Sequence, residues 1–495
     1  MKRQLYALAV LCIGLLSAQI VATAHVYLSN LNLLQATEAL VRSGYLAVPN
    51  ALVAARLDML TTAMAGGLFF TLSIGSGLSL LTLGIVWLWD RVFKRRRREA
   101  LLFILTWWTV LYLVNSNGFN VAASLYLIVV PLVTAMAAYF LLPVRTTLVS
   151  RTGVLWPVSA ALILAMVWGL VLDKYLFVNI RDHLLLSNRV GQAVTNAYYD
   201  YTLFPAEAFK SLAQKQIRSC VLNDGLSRPD YERIERAMRS HDYLPVPDGY
   251  PADLTIHRDG PGTRFVIGDN GQPSLDVTRR ELFGDLPTVL QTVSDQRDRN
   301  RMFRKLTLLC LLVGFPLVLY SFVYSLVIIL PSLVLPIRLS AAIAAIICIA
   351  IGVSLLAPVY RGRSAAGASQ NPSTGLTAAS YATRIAALRL ACQKKQDIAA
   401  QAFAREMQSS PYTAERYWLA RSLAFAGGAR ATVMLRQLAS DPVPIVACQA
   451  LWAMGQRNDR TMIPQIIAHI NTSPVWYIQM YAYRALRTLG WVQPR

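Results

Sequence analysis

Long apolar stretches constrain this chain more than any other feature. After an apolar N-terminal run, six further stretches have membrane length or nearly so: 66–89, 100–115, 121–142, 154–176, 306–334 and about 340–358. A helix needs about 20 apolar residues to cross a hydrocarbon core roughly 30 Å thick. The sequence therefore predicts a mainly α-helical, polytopic membrane protein with about seven spans.

Composition supports this class. Hydrophobic residues make up 55% of the chain and charged residues only 15%, whereas soluble domains carry about 25% charged residues. The formal net charge of +21 is concentrated beside the apolar runs and in the C-terminal region. Basic loops beside spans are the ordinary topological signal, so we predict no nucleic-acid partner.

The N-terminus has two interpretations. Lys2 and Arg3 precede an apolar run, and Ala22-Thr23-Ala24 resembles a cleavage site, so residues 1–24 are either a signal peptide or a first transmembrane helix. Residues 25–65 have helical apolar spacing around polar side chains. We expect an amphipathic extramembrane segment there, lying near the membrane surface or in an ordinary loop helix.

Charge sets the predicted topology. Residues 66–176 should form four transmembrane helices, with a tight hairpin turn at Asn115-Ser116-Asn117-Gly118. The basic run from Arg91 to Arg98 should stay cytoplasmic. Alternation then places residues 177–305 outside, followed by two spans in 306–358. We expect a multi-pass protein of the bacterial inner (cytoplasmic) membrane, with its inserted domain and C-terminus in the periplasm.

Residues 177–305 read as a small extramembrane α+β domain. Helical patterns cover 190–215 and Ser227–Ser240, and alternating apolar residues at 254–257 and 264–267 flank a Gly-rich turn, which predicts a β-hairpin. A tyrosine cluster lies within the first helical pattern. Exposed aromatic side chains anchor interfaces, so the cluster is either a partner-binding face or packing at the membrane interface: Tyr198, Tyr199 and Tyr201.

The sequence gives little evidence of a catalytic or metal-binding site. His241-Asp242, and His257 with Asp259, suggest metal or acid–base pairs, but a metal site needs three or four convergent ligands. Gly268-Asp269-Asn270-Gly271 lacks the ligand series of a calcium loop and is read as a turn. No phosphate-binding loop, zinc-protease or nucleophile-elbow motif occurs, and the six cysteines show no zinc or disulfide spacing. We predict no catalytic residue, cofactor or metal.

The C-terminal region, residues 378–495, repeats after a linker predicted at 359–377. Ser410-Pro411, Asp441-Pro442 and Ser473-Pro474 recur at similar intervals, and each predicts a helix start with a polar cap and an early proline. The helices should end at Gly427, Gly455 and Gly490, in the C′ position that favours positive φ. Second helices are predicted at about 431–439 and 460–470.

Residues 441–467 carry the pattern D-P-V…A-L-x-x-M-G…P-x-I-I, and two similar patterns occur in this region. These patterns resemble the short HEAT-like repeats of the phycobilisome-lyase type. The resemblance implies an α-solenoid of stacked helix pairs with a binding surface, and it implies no lyase activity. We expect aromatic side chains of this region to bind a partner: Trp418, Trp452, Trp476 and Tyr477. The alternative is that the domain caps the membrane part of its own chain.

The function predicted from these features is a membrane-anchored scaffold or assembly protein that binds partner proteins through the repeats and the α+β domain. The basic C-terminal region could instead face anionic lipid headgroups. A membrane enzyme acting on a lipid-linked substrate is a second possibility, and would need loop acids: Glu38, Asp58, Asp182 and Asp200. An accessory transporter subunit is a third, which the absence of charged residues inside the apolar runs disfavours.

Overall fold

The computed structural model describes residues 6–141, 152–201, 207–223, 225–250, 252–258, 264–268, 274–368 and 372–494. It is mainly helical, with one small β-sheet, as the sequence predicts. The helices of the first 201 residues are α1 (Tyr6–Arg42), α2 (Ala51–Ala54), α3 (Leu60–Phe70), α4 (Ser76–Arg91), α5 (Arg97–Val114), α6 (Val121–Phe140), α7 (Thr152–Leu170), α8 (Leu176–Ile180) and α9 (Arg189–Tyr201).

Several helices are long and apolar enough to cross a membrane. Within the described ranges five segments meet this criterion: Tyr6–Arg42, Leu60–Arg91, Val121–Phe140, Arg301–Val327 and Ile337–Gly367. A shorter apolar helix covers Leu155–Leu170. Their outward-facing leucine, isoleucine and valine side chains are widely exposed, which suits contact with lipid. The chain is consistent with a membrane protein.

The N-terminal region differs from the expectation of a break after residue 24. Helix α1 continues through Ala24 and ends only at Arg42, before Gly44 with φ +81°. No glycine or proline interrupts residues 15–42, so nothing ends the helix earlier. The second long helical segment begins at Leu60 rather than at 66, which leaves only a short connection after α1 in place of the predicted 25–65 segment.

The predicted hairpin between α5 and α6 is confirmed. Gly118 has φ +112°, a conformation that favours glycine, and Asn120 caps α6 by accepting a hydrogen bond from the Ala123 N–H. Trp107 donates from its indole to the Leu127 carbonyl at 2.7 Å. Trp107 thus packs against the neighbouring helix, whereas Trp108 and Tyr112 are exposed.

Two of the long segments cross at a pair of glycines. Each contains a π-helical turn, Thr71–Gly75 in one and Cys310–Gly314 in the other. A methyl group on Gly314 would lie 2.7 Å from the Gly77 Cα. The contact therefore needs residues without side chains, as close helix pairs in membranes commonly do.

The inserted domain contains the sheet. Its strands are β1 (Arg218–Leu222), β2 (Tyr243–Pro245), β3 (Leu254–Arg258), β4 (Arg264–Gly268) and β5 (Leu275–Thr278), ordered β2-β1-β3-β4-β5. Strand β1 runs parallel to β2 and β3, and β3–β4–β5 are antiparallel. The predicted β-hairpin, β3–β4, is thus confirmed. Residues 259–263 of its turn, and residues 269–273 of the second Gly-rich turn, lie outside the described residues. Helices of this domain are α10 (Arg228–Ser240), α11 (Arg279–Gly284) and α12 (Leu286–Arg297).

The remaining helices first complete the helix bundle and then form the C-terminal region. They are α13 (Arg301–Leu309), α14 (Phe315–Val327), α15 (Ile337–Ser354), α16 (Leu356–Ala368), α17 (Pro372–Leu376), α18 (Tyr381–Gln393), α19 (Ala402–Gln408), α20 (Thr413–Ser422), α21 (Gly428–Ala439), α22 (Pro444–Gln456), α23 (Ile463–Thr472) and α24 (Trp476–Thr488). Alternate helices α18, α20, α22 and α24 pack side by side in a row. Helices α21 and α23 cover the predicted second helices.

The predicted helix starts are shifted by two residues. The caps of α20, α22 and α24 are Tyr412, Val443 and Val475, without side-chain cap bonds. Ser410, Asp441 and Ser473 instead accept from the backbone N–H of the residue two positions on. These residues make side-chain turns that precede each helix, because a short polar side chain can bond its own backbone two residues later.

The predicted C′ glycines fall into three cases. Gly490 has φ +74°, as expected. Gly427 has φ −88°, and the following Gly428 takes the positive φ. Gly455 lies inside α22, where a Cβ would come within 2.8 Å of the Ala485 Cα. The prediction was therefore wrong for Gly455, which allows α22 and α24 to approach closely.

The predicted linker at 359–377 is largely helical. Helices α16 and α17 occupy most of it, apart from residues 369–371, which lie outside the described residues. Gly362 packs against the His183 imidazole so closely that a Cβ would overlap the ring. The small residues of this segment therefore serve close packing, which composition alone could not distinguish from flexibility.

The sheet domain and the C-terminal helices lie at the same end of the helix bundle. Leu40 and Tyr45, near the end of α1, pack against Leu244 and Val246 of the sheet domain. At the opposite end, Asp90 is buried and pairs with Arg91 and Arg95 of the basic run.

Candidate functional site

The face of the C-terminal row that was predicted to bind a partner contacts the chain's own residues 176–201. Helix α9 packs against α22 and α24, and the π-helical turn Arg181–Leu185 after α8 packs against α16. We call this side of α18, α20, α22 and α24 the docking face. It carries Tyr417, Trp418 and Tyr477.

Asp182 lies at the centre of the contact between residues 176–201 and the docking face, and it is fully buried. Its Oδ2 accepts a hydrogen bond from the Trp418 indole at 2.7 Å and lies 3.1 Å from an Arg389 guanidinium nitrogen. Its Oδ1 accepts from Arg181 Nε at 2.7 Å, and the Tyr381 hydroxyl donates to its main-chain carbonyl at 2.7 Å. Every oxygen of this residue thus has a partner, as a buried carboxylate requires.

Arg181 adds aromatic contacts to this ion pair. Its guanidinium donates to the Tyr417 hydroxyl at 2.8 Å and lies 4.0 Å from that ring and 5.5 Å from the Trp418 ring. One guanidinium nitrogen is buried without a hydrogen-bond acceptor among the described residues. The aromatic ring faces stabilise that nitrogen, because the negative face of a ring attracts a cation.

Arginine and tryptophan side chains alternate along the docking face. Arg389 and Arg421 lie 5.4 Å and 5.7 Å from the Trp418 ring, and Arg421 lies 4.8 Å from the Trp452 ring. Burial lowers the pKa of the Arg389 guanidinium from its ordinary value, although the Asp182 charge opposes this shift. The Asp182 carboxylate and the faces of the aromatic rings therefore stabilise the guanidinium groups of this face.

Tyrosines of α9 occupy the next part of the docking face. The Tyr199 ring lies 4.9 Å from that of Tyr477, and the Tyr198 ring stacks on Tyr477 at 6.1 Å. Burial raises the pKa of Tyr199 above its usual range. Tyr201 is exposed, as Tyr198 is, and Arg56 lies 5.8 Å from its ring. Tyr198 and Tyr199 therefore contact Tyr477 within one chain.

The two other predicted residues are also internal. Trp476 is buried, and its indole N–H has no acceptor within the described part of the chain. It lines a cavity of about 240 Å³ together with Thr37 and Lys215. Trp452 is half-buried beneath Arg421. Of the seven aromatic residues predicted to bind a partner, Tyr198 and Tyr201 are exposed, and the other five are buried or partly buried.

A second anchor joins the docked helices to the sheet domain. Asp242 accepts from the Tyr483 hydroxyl at 2.7 Å and pairs with Arg487 at 3.1 Å. Burial raises the pKa of the Asp242 carboxyl, against the lowering effect of Tyr483 and Arg487. The His241-Asp242 pair therefore serves packing: His241 is partly exposed, and Asp242 bonds to α24.

A third anchor joins the docked helices to the connection after α1. The Asn50 amide donates to the carbonyls of Ile470 at 2.8 Å and Ser473 at 3.0 Å, and the Asn50 N–H donates to Gln479 Oε1 at 2.9 Å. All these groups are buried. Asn50 also caps α2, so its side chain connects the start of α2 to the segment between α23 and α24.

His183 lies beside the first anchor. Its ring packs edge-on to Tyr381 at 6.0 Å and against Gly362. Burial lowers the pKa of His183, Asp182 opposes the shift, and Arg389 adds to it. The imidazole is therefore neutral near pH 7, packed between the helix after α8 and the membrane-proximal α16.

The described residues contain no group of three or more His, Cys, Asp or Glu side chains that could hold a metal ion. The cysteines found there are unpaired. Of the loop acids considered for catalysis, Asp182 is buried in ion pairs, whereas Glu38 and Asp58 are exposed. Burial raises the pKa of Asp200, which lies near Arg56. His257 lies on β3, and Asp259 is outside the described residues.

Sequence reasoning did not identify the anchors as such. Asp182 was considered only as a catalytic acid, and Asn50, Gln479 and Arg487 were not considered. The available signal was Arg181-Asp182-His183, a charged triplet closely following an apolar run. Its partners are distant in sequence, Trp418 by 236 positions, and no local pattern connects them.

Comparison with known proteins adds no relative. No family model, curated protein or solved structure matches this chain.

Proposed function

We propose that this chain is a membrane-anchored scaffold of the bacterial inner membrane. In this proposal it crosses the membrane seven times and holds the sheet domain and a HEAT-like solenoid in the periplasm, where they bind a partner protein. The observation that carries it is the docking of the C-terminal row on residues 176–201 through Asp182. A partner bound to that row is held at a fixed height above the membrane.

Recurring hydrogen bonds support a repeat. In addition to the side-chain turns at positions 410, 441 and 473, Arg384, Arg416 and Gln479 each donate to the carbonyl six residues earlier. Each of these three residues lies in the first turns of its helix, α18, α20 or α24, and bonds back to the segment that precedes the helix. A contact that recurs in successive helices is typical of stacked units in which each buries the face of its neighbour.

The partner surface in this proposal is the outer side, formed by α19, α21 and α23, because the docking face is occupied. Exposed basic side chains there include Arg405, Arg430 and Arg436. Two of the acids nearby, Glu415 and Asp441, are buried in pairs with Arg384 and Arg416, and so they do not offset the surface charge. We therefore propose an acidic protein partner.

The alternatives have less support. An enzyme acting on a lipid-linked substrate needs convergent acids, but Asp182 is buried in ion pairs and exposed Glu38 pairs with exposed Arg42. A transport subunit normally carries charged groups within its spans. Asp90, at the end of α4, is paired with arginines of the basic run.

The test uses surface charge, because deleting the C-terminal row would also remove the Trp418, Arg389 and Tyr417 contacts of the Arg181–Asp182 pair. Full-length protein is purified in mild detergent, and the Arg405→Glu/Arg430→Glu/Arg436→Glu variant is compared with a Lys394→Glu/Lys395→Glu variant of the α18–α19 loop. The proposal expects a near-stoichiometric acidic protein to be lost only from the triple variant. Purification of the wild type without any partner would contradict it.

A further inference from the structure

A second, larger cavity lies between the sheet domain and the end of the helix bundle. It has a volume of about 510 Å³, within the size range of small-molecule sites. Its walls include Asn120 at the start of α6, Asn300 at the start of α13, and His25 of α1. This cavity is separate from the docking face and is not used in the proposed scaffold.

Cations outnumber acids in its wall. Four basic residues line it, against the two acids Asp253 and Asp298: Lys210, Lys215, Arg297 and Arg299. Lys215 pairs with Asp253 at 2.5 Å, and Asp298 pairs with Arg304. Lys210 pairs with Glu207. Both acids of the wall are therefore already paired with cations, and Arg299 adds positive charge that neither of these pairs neutralises.

Arg299 is the cation most available to a ligand. No acidic group pairs with it among the described residues, and its side chain is half-buried. It packs on the α5–α6 turn, where a Cβ on Gly118 would lie 3.0 Å from Arg299 Nε. The turn thus holds the guanidinium in the cavity wall without neutralising it. A fixed, unpaired guanidinium suits two-point recognition of phosphate.

Two helix N-termini meet at the same wall. Val121 and Ala122, the first residues of the 20-residue helix α6, line the cavity, and their N–H groups have no acceptor within the helix. The Asn300 side chain accepts a hydrogen bond from Asn120, which joins the start of α13 to the start of α6. Helix N-termini attract anions through these N–H groups and the helix dipole.

The cavity lies where two candidate membrane spans begin. Both α6 and α13 begin candidate membrane spans at this point. On α1, His25 lies roughly 28 Å along the helix axis from Tyr6, at 1.5 Å per residue, close to the thickness of a hydrocarbon core. The cavity therefore lies at the level of lipid headgroups. Its buried His25 Nδ1 has no hydrogen-bond partner in the described chain.

We infer that this cavity binds a phosphate group at the membrane surface. The phosphate oxygens would be bound by Arg299 and by the α6 N-terminal N–H groups. The source of the phosphate is either the headgroup of an anionic lipid or a soluble phosphate. The inference does not depend on the scaffold function.

The experiment is native mass spectrometry of the full-length protein in detergent. The probes are short-chain phosphatidylglycerol and inorganic phosphate, titrated separately and in competition. Arg299→Gln should weaken binding about tenfold or more, because it removes a charge-assisted contact. The matched control is Arg301→Gln, which changes an exposed arginine outside the cavity wall and should bind like the wild type.

A second variant tests the site with a substitution that should leave the fold intact. Asn120→Asp keeps a good helix cap but adds a negative charge to the wall, so it should also weaken binding. Retention of the lipid against excess phosphate assigns the site to a headgroup, and displacement assigns it to a soluble phosphate. The inference is overturned if neither probe binds, if Arg299→Gln binds like the wild type, or if Arg301→Gln loses as much affinity.

Discussion

The Trp418 indole donates a hydrogen bond to the Asp182 carboxylate at 2.7 Å across 236 positions of the chain. Asp182 belongs to the turn after α8, and Trp418 to the middle of the C-terminal row. Because the carboxylate is fully buried and also paired with Arg181 and Arg389, this contact fixes the row to the membrane-proximal helices.

Asp182→Asn should destabilise the protein strongly. The change leaves two buried guanidinium groups, those of Arg181 and Arg389, without a compensating charge. Breaking a buried pair in this way costs about 3–5 kcal/mol of the free energy of unfolding. Thermal unfolding of the purified protein measures it. Asp58→Asn, at an exposed acid without a partner in the described chain, is the control and should change stability by about 0.5 kcal/mol or less.

Gly455→Ala should also destabilise the protein. The added methyl would lie 2.8 Å from the Ala485 Cα and force α22 and α24 apart, at a cost of about 1–3 kcal/mol. Gly427→Ala is the matched control. Its nearest heavy atom would be 3.7 Å away, and its φ of −88° suits any residue. Equal melting temperatures for the two variants would contradict close packing at Gly455.

The tyrosines of α9 should separate into structural and surface residues. Tyr199→Ala removes a half-buried ring packed against Tyr477 and should cost about 2–4 kcal/mol. Tyr201→Ala removes an exposed ring in contact with Arg56 and should cost about 1 kcal/mol or less. Chemical or thermal unfolding of both variants checks this ordering. A larger loss for Tyr201 would reverse the assignment.

Acidification should weaken the docking through His183. Its pKa is lowered in the folded protein, mainly by burial, so the unfolded chain takes up the proton first. The stability from the neutral ring is complete above its ordinary pKa of about 6.5 and is lost as pH falls below that value. His241 and His469 shift in the same direction. The melting temperature should therefore decrease between pH 7.5 and 5.5.

The variant His183→Asn assigns this pH dependence. It removes the titrating ring that faces Tyr381 and lies near Asp182 and Arg389, and leaves His241 and His469 in place. The decrease in melting temperature over the same pH interval should become shallower than in the wild type. An unchanged slope would show that His183 does not contribute.

Local patterns predicted the local structure. The apolar runs marked the long helices, Asn115–Gly118 marked a turn, and the helical pattern over Ser227–Ser240 marked α10. The errors concern glycines and polar residues whose roles depend on distant contacts. Gly362 and Gly455 read as a linker and a helix end, but each allows a neighbouring element to approach closely.

The docking face could not be predicted for the same reason. Aromatic residues of a repeat look like an interface in the sequence, and the sequence alone does not indicate that Tyr198 and Tyr199 contact Tyr477. The alternative that the C-terminal domain caps its own membrane part was open from the sequence. In the structure, residues 176–201 occupy the docking face.

Cysteine crosslinking in native membranes tests the docking most directly. In a Tyr198→Cys/Tyr477→Cys variant, a short-span thiol crosslinker should join the two positions within one chain, because the native rings stack at 6.1 Å. Peptide mass spectrometry identifies the link, and Val190→Cys/Tyr477→Cys is the control, since Val190 is exposed at the start of α9. Rapid intramolecular linkage of the first pair alone is the predicted result. Absence of that link, or links only between chains, would contradict the docking of the C-terminal row on its own membrane-proximal helices.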